Sequence, residues 1–403
     1  GLGKVIAKTY WSSVKTGEPI EMEQIGQFFY VDVSLNRFFM DAYAAYASIG
    51  NIQKINDELL AHREDILENY SDIPYVIFVL GESTDRNKMS VYGYRLKTNP
   101  LLEKRMDRDN IYFFDDTIAC DTNTTGAMRK IFTFAEKDDK KEWYENADLM
   151  DILHDAGYKT YWISNQSPVN IYGNMDRIYS MQASKSEFTA TQGGQTGTVK
   201  SHLDEELFPL LDEELRQPTG KDFYVLHLYG THGAYNLRYP SGFAEFTAED
   251  EDGDNFKQKQ TKAEYDNAVL YNDWIMNEII RRFEDKDAIV IYISDHGEEV
   301  YDGRDFAGHS SETHGNVHMI ETPMMIWTSN EFAEKRPELV QRMRSSVHRP
   351  YRTDWLINTM LDFMQIRVPS FDASKSVINP AFMERTRMWN GKPYVHHVDK
   401  SEV

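Results

Sequence analysis

Apolar residues fall in short, dense runs separated by polar turns. Tyr75 to Leu80, Ile111 to Phe114, Thr160 to Ser164, Phe223 to Leu228 and Ala288 to Ile293 are too short for buried helices and rich in branched and aromatic side chains, so each is predicted to be a strand. Between them, Asp148 to Ala156 and Tyr265 to Phe283 repeat apolar positions at helical spacing. Strands that alternate with amphipathic helices predict an α/β domain around a mostly parallel, helix-covered sheet. Before Pro74 the pattern changes. Residues 1–70 are rich in aromatic and charged residues, including Asn36-Arg37-Phe38-Phe39-Met40, and lack strand signals. They are read as a helical segment whose aromatic face rests on the main domain or on a membrane surface. The domain proper is expected over 71–403.

Two loops interrupt the alternation, Thr189 to Thr198 and the acidic Glu249 to Asn255. The second has its glycine at the wrong offset for a calcium loop and no closing glutamate, which leaves a solvated turn. With 65 acidic against 44 basic residues and a net charge of -21, the surface field repels a phosphate backbone, and nucleic acid is excluded as a partner. Cys120 is the only cysteine, so no intramolecular disulfide forms. No run approaches the roughly 20 apolar residues needed to span a bilayer. The chain opens on Gly1 with neither an initiator methionine nor a signal segment, and it is expected to be a fragment of a longer protein.

In open α/β sheets, ligands bind beyond the carboxyl ends of the strands. Those positions hold Gly81-Glu82-Ser83, Cys120-Asp121-Thr122-Asn123-Thr124-Thr125, Tyr229-Gly230-Thr231-His232-Gly233 and Ser294-Asp295-His296-Gly297-Glu298. A single glutamate or histidine after a strand is more often a capping residue. Four such ends together point to a site. Asp295 and His296 offer one oxygen and one nitrogen donor, and Glu82 adds a second carboxylate, a mixed set that suits zinc. Such a set leaves room for a hydroxyl whose proton a cation makes easier to lose. Thr124 is the hydroxyl favoured here, and the helix expected after it would turn amide groups toward phosphate oxygens.

The string Ser294-Asp295-His296-Gly297-Glu298, with Val79-Leu80-Gly81-Glu82-Ser83 before it and Gly230-Thr231-His232-Gly233 between, resembles the phosphoethanolamine transferases of the alkaline phosphatase/sulfatase superfamily. These enzymes modify lipid A and related envelope glycans. The resemblance covers roughly residues 74–385. It implies an alkaline-phosphatase-like α/β/α sandwich and a zinc ion held by Glu82, Thr124, Asp295 and His296, with a second zinc ion and manganese as open alternatives. Cys120-Asp121-Thr122-Asn123-Thr124 matches the family's Cys-Gly-Thr-x-Thr, which makes Thr124 the nucleophile and Thr125 its rival. His232 matches a histidine that faces the phosphoryl group or a second metal. The family's further histidine is best matched by His309, with His314 and His318 as competitors. Asn165 matches a position near the substrate headgroup, and Thr122 joins the substrate-binding set of Asn165, His232 and His309.

Many lipid A enzymes of this family carry several disulfides and a lysine shortly after the Asn165 position. Here there is one cysteine, and Val169-Asn170 stand in that place, so the resemblance points toward heptose, core sugars or other surface glycans as acceptor. It implies a phosphatidylethanolamine donor, a lipopolysaccharide or glycan acceptor, an amino-terminal membrane anchor and a catalytic domain on the periplasmic face of the inner membrane. The rival readings are a phosphoglycerol transferase, a phosphodiesterase, a sulfatase and a non-catalytic glycan binder. A sulfatase needs Cys/Ser-x-Pro-x-Arg, which the segment after Cys120 lacks, so Cys120 is read as structural.

Overall fold

The computed structural model describes residues 50, 52–168, 175–189, 203–311 and 315–396. The expected helices of residues 1–49, most of the Thr189 to Thr198 loop, Val169-Asn170 and His314 lie outside the described residues.

Among the described residues, seven strands form one sheet: β1 (Tyr75–Gly81), β2 (Asn110–Phe114), β3 (Lys159–Ser164), β4 (Lys185–Phe188), β5 (Asp222–His227), β6 (Ala288–Ser294) and β7 (Met324–Thr328), in the order β2-β7-β6-β1-β5-β3-β4. The five expected strands are present. The pairs β6-β1, β1-β5, β5-β3 and β3-β4 are parallel, and β7 runs antiparallel to both its neighbours. The short strands β4 and β7 were not foreseen. β4 is a half-exposed edge, Lys-Ser-Glu-Phe, with no apolar run. β7, Met-Met-Ile-Trp-Thr, is buried throughout because strands flank it on both sides, a tertiary circumstance that local pattern does not carry.

The helices that position the site are α1 (52–61), α2 (Thr124–Ile131), α3 (Leu149–Asp155), α4 (Met175–Gln182), α5 (Leu207–Glu214), α6 (Phe256–Arg281) and α7 (Leu356–Phe363). They cover both faces. Val76, Phe78 and Leu80 pack with α1 to α4 and α7, while Ile77 and Val79, on the opposite face, pack with α5 and α6. A central parallel strand is buried on both sides, which is why β1 reads as a continuous apolar run rather than an alternating one. Phe78 meets the ring of Phe132 edge-on at 5.6 Å. Truncating so buried an aromatic costs about 3–5 kcal/mol.

α6 begins nine residues earlier than the apolar periodicity indicates. Its first turns, Phe-Lys-Gln-Lys-Gln-Thr-Lys, have no apolar stripe. The Asn255 side chain caps it by accepting from the Gln258 amide, and Lys262 pairs with Asp252 of the acidic loop. Residues 52–70 pack on the main domain, one of the two placements expected for this segment. Ile52, Ile55 and Leu59 of α1 are in the core, and Glu68–Asn69 pair with Ile366–Arg367. They belong to the body of the domain, ahead of the boundary drawn at 71. Among the described residues no helix is long and apolar enough to cross a membrane.

Candidate active site

Gly81 and Ser294 are partners in the parallel pair β1-β6, so the residues that follow them emerge side by side. Glu82, Asp295 and His296 are all buried, and one donor atom from each lies within 4.8 Å of the others. Ser83 adopts a left-handed backbone, φ 57°, which is uncommon outside glycine and tends to mark sites where the surroundings impose the shape. Its amide donates to Asp295 Oδ1 at 3.2 Å and its hydroxyl to Glu82 Oε1 at 2.7 Å. Gly297 follows the ligands at a point where a Cβ would stand 2.0 Å from the carbonyl oxygen of His318. Only glycine lets the segment around Met319 pack against this turn.

Thr124 is the first residue of α2. The Asn123 side chain caps that helix by accepting from the Gly126 amide at 2.8 Å. Asp121 accepts from the Thr122 amide, the Asn123 amide group and Lys130, and Gly126 leaves it room, since a Cβ there would meet Asp121 Oδ2 at 2.2 Å. This packing delivers the Thr124 hydroxyl to Glu82 Oε2, to which it donates at 2.8 Å.

Asp295 Oδ2 and His296 Nε2 are buried without a hydrogen-bond partner. Buried polar atoms are rarely left so, and two that converge beside a carboxylate and a hydroxyl fit a bound cation. The charges agree. Burial raises the Asp295 carboxyl, with help from Glu82, to about 6. Burial works against the His296 imidazolium, but Asp295 and Glu82 override it and lift the ring to about 10. Burial also pushes Glu82 upward, yet contact with His296 outweighs it and holds that carboxyl well below the usual range. Without a metal the pocket therefore keeps a proton on His296. His296 Nδ1 lies 2.7 Å from the Gly297 carbonyl, which leaves Nε2 as the ligand atom, as in histidines whose second nitrogen is fixed by a backbone carbonyl.

A second group of donors, His296, Glu298 and His309, meets the same distance limit. The His309 ring is 4.3 Å from that of His296 and 6.0 Å from that of His232. Glu298 Oε2 lies 2.9 Å from His309 Nδ1, and Tyr235 donates to Glu298 Oε1 at 2.7 Å. His309 and His232 thus stand beside the Glu82 set. His318 is elsewhere in the network, against Asp85 Oδ2 at 2.9 Å. Asn165 is buried with its amide engaged, donating to Asp204 at 2.7 Å and accepting from Thr189. It braces the loop and does not present its amide to the Glu82 set. The Thr122 hydroxyl is buried with no partner.

Gln166, next to Asn165, occupies the position that sequence reasoning missed. Its Nε2 is 3.3 Å from Glu82 Oε2, 3.1 Å from the Leu228 carbonyl and 3.1 Å from His227 Nε2. His227, buried, faces Asp176 of α4 through Nδ1 at 2.7 Å, so an Asp-His-Gln chain reaches Glu82 from that helix by way of the ends of β5 and β3. Gln166 was findable, because it stands at a strand end. His227 was not, because it lies inside the apolar run Phe223 to Leu228 and only the sheet register turns it inward. Glu298 lay inside the Asp-His string without a role assigned to it.

Strand order and donors gathered at the strand ends define an alkaline-phosphatase-like α/β protein, as the resemblance implied. The chain belongs to the sulfatase family, whose model matches residues 74–366. It is 32 % identical over 326 residues to the phosphoethanolamine transferase EptC of Escherichia coli K12, covering 79 % of this chain and 55 % of that enzyme. To the phosphoethanolamine transferase CptA of Salmonella typhimurium it is 30 % identical over 370 residues, 88 % of this chain and 62 % of that one. The chain thus spans little more than half the length of these relatives. The crystal structure of the C-terminal periplasmic domain of E. coli EptC in complex with Zn matches with a TM-score of 0.74 and 31 % identity, covering 83 % of this chain and 94 % of that domain.

Proposed function

We propose that this chain is the catalytic domain of a phosphoethanolamine transferase, which moves the headgroup of phosphatidylethanolamine to a lipopolysaccharide or other surface glycan. The hydroxyl of Thr124, held at Glu82 within the ligand set, is the observation that carries this reading. The relatives' names and the periplasmic origin of the matched EptC domain support it. The site belongs, on this reading, to a longer membrane-anchored protein and works at the periplasmic face of the bacterial inner membrane.

Zinc, held by Glu82, Thr124, Asp295 and His296, would lower the pKa of the threonine hydroxyl and offset charge on the phosphoryl oxygens; a second ion would fall to the Glu298-His309 side, and manganese is the alternative metal. In the first step Thr124 Oγ1 gives up its proton to solvent, to be regained from solvent when this oxygen departs in the second step, and bonds to phosphorus as the bond to the diacylglycerol oxygen breaks. That oxygen takes a proton from His232 or His309, and diacylglycerol leaves. In the second step an acceptor oxygen attacks the phosphorus, its proton passes to the same histidines, and the Thr124 oxygen departs. Glu298 fixes the orientation of His309 for this task, and Gln166 holds Glu82.

Intact-mass analysis of the metal-loaded chain after incubation with phosphatidylethanolamine tests this. The expected adduct is about 123 Da, from the formula of one phosphoethanolamine unit, and is absent from Thr124→Ala, as a covalent intermediate requires. An adduct that survives in the variant moves the nucleophile to Thr125 or Thr122. An adduct formed only with phosphatidylglycerol makes the enzyme a phosphoglycerol transferase.

A further inference from the structure

Arg238 lies six residues beyond His232, at the end of the single helical turn Tyr235–Leu237. The residue is only 7 % exposed. Its guanidinium lies over the ring of Tyr229, 4.0 Å from the centroid, and the same ring meets that of His232 at 5.6 Å, edge to face. Arg238 and a histidine of the site therefore share one aromatic neighbour. Nε and Nη1 of the arginine are buried and donate to nothing. Three other buried arginines of the domain lie against carboxylates, Arg336 with Asp287, Arg352 with Asp354 and Arg387 with Asp116; Arg86 instead donates to the Thr117 carbonyl. The acid that bears on Arg238 at longer range, Asp204, already accepts from Asn165 and from the amides of Tyr229 and Gly230.

A guanidinium withdrawn from water with donors unspent is unfavourable, and an oxyanion offers the planar, charge-assisted contact it lacks. Stacking on Tyr229 holds the group in place before any ligand arrives. We propose that Arg238, backed by Tyr229, forms a subsite for a phosphoryl oxyanion beside the His232-His309 pair. The assignment deepens the transferase reading and rests on it for the source of the oxyanion, which is either the donor's phosphodiester or a phosphate group on the acceptor glycan.

The test titrates inorganic phosphate into zinc-loaded wild type, Arg238→Met and Arg238→Gln, following the thermal midpoint. Separately, it times the loading of Thr124 by phosphatidylethanolamine and its unloading by a phosphorylated lipopolysaccharide. The expected result is phosphate affinity weaker by about tenfold or more in both variants, the scale of losing a bidentate, charge-assisted pair, with no fall in the phosphate-free midpoint. The glutamine variant carries the comparison should the methionine variant not fold. Slower loading assigns the oxyanion to the donor, and slower unloading alone assigns it to the acceptor. Unchanged phosphate affinity in the folded variants, with or without a lower midpoint, makes Arg238 a structural counter-charge and overturns the proposal. Because the titration needs no turnover, a wild type that binds phosphate through Arg238 yet never forms the adduct sinks the transferase reading alone.

Discussion

Nε2 of His296 stands 3.2 Å from Oε1 of Glu82, close enough for their charges to interact but not aligned as a hydrogen bond. With Asp295 Oδ2 at 3.5 Å from the same nitrogen, the ring lies between two carboxylates. Without an ion that arrangement holds a proton on the ring, and a bound metal ion would have to displace it.

The exchange of proton for metal predicts a pH dependence. A metal needs His296 neutral and Asp295 ionised, and the free site holds their pKa values at about 10 and about 6. Between those limits one proton leaves per ion bound, and below the lower one, two. The logarithm of apparent zinc affinity should rise by about one per pH unit from about 6 to 10 and more steeply below 6. Competition against a chromophoric chelator, with proton release followed in parallel, measures this. A flat affinity between pH 7 and 9 would show that His296 is already neutral in the free protein.

Gln166 touches Glu82 from outside the ligand set. Gln166→Leu should lower metal affinity about 10- to 100-fold, the range typical of lost outer contacts to a ligand, while the thermal midpoint of the metal-free chain stays close to wild type. Equal zinc affinity in the two proteins would remove the Asp176-His227-Gln166 chain from any part in holding the site.

Gly297→Ala places a methyl group 2.0 Å from a backbone oxygen that cannot rotate away. Overpacking of this kind costs about 1–3 kcal/mol. Because the Gly297 amide donates to the Met319 carbonyl at 2.9 Å, relief should also displace His296 and weaken the metal. Urea denaturation and zinc titration of the same variant should both report the loss. A normal zinc affinity would mean that the turn yields without moving its ligand.

Cys120 should be inert. Burial pushes its thiol up to about 12, where almost no thiolate exists at neutral pH. Iodoacetamide is expected to leave the folded chain unlabelled and to modify one site after unfolding, as read by intact mass. Cys120→Ala should still form the Thr124 adduct. Labelling of the native protein, or loss of the adduct in the variant, would restore a chemical role to this cysteine.

The runs that became β1, β3, β5 and β6 were legible because buried parallel strands need apolar residues on both faces. β7 was not legible, since Met-Met-Ile-Trp-Thr is a strand only between β2 and β6. Residues 256–264 carried no apolar stripe, and their cap and ion pairs involve partners outside the segment's own pattern.

Local sequence was enough to name Glu82, Asp295, His296 and Thr124, because each follows an apolar run or opens a helix and carries a donor suited to a metal or a phosphoryl group. Register between β1 and β6 and the cap of α2 decided that their atoms meet within hydrogen-bond and coordination reach. Packing alone decided the rest. It set His309 beside His296 and His318 beside Asp85, buried Asn165 while turning Gln166 to Glu82, and left Nε and Nη1 of Arg238 without an acceptor. Spacing along the chain specifies which donors are available, whereas distances between donors come from strands far apart in sequence that become neighbours only when the sheet closes.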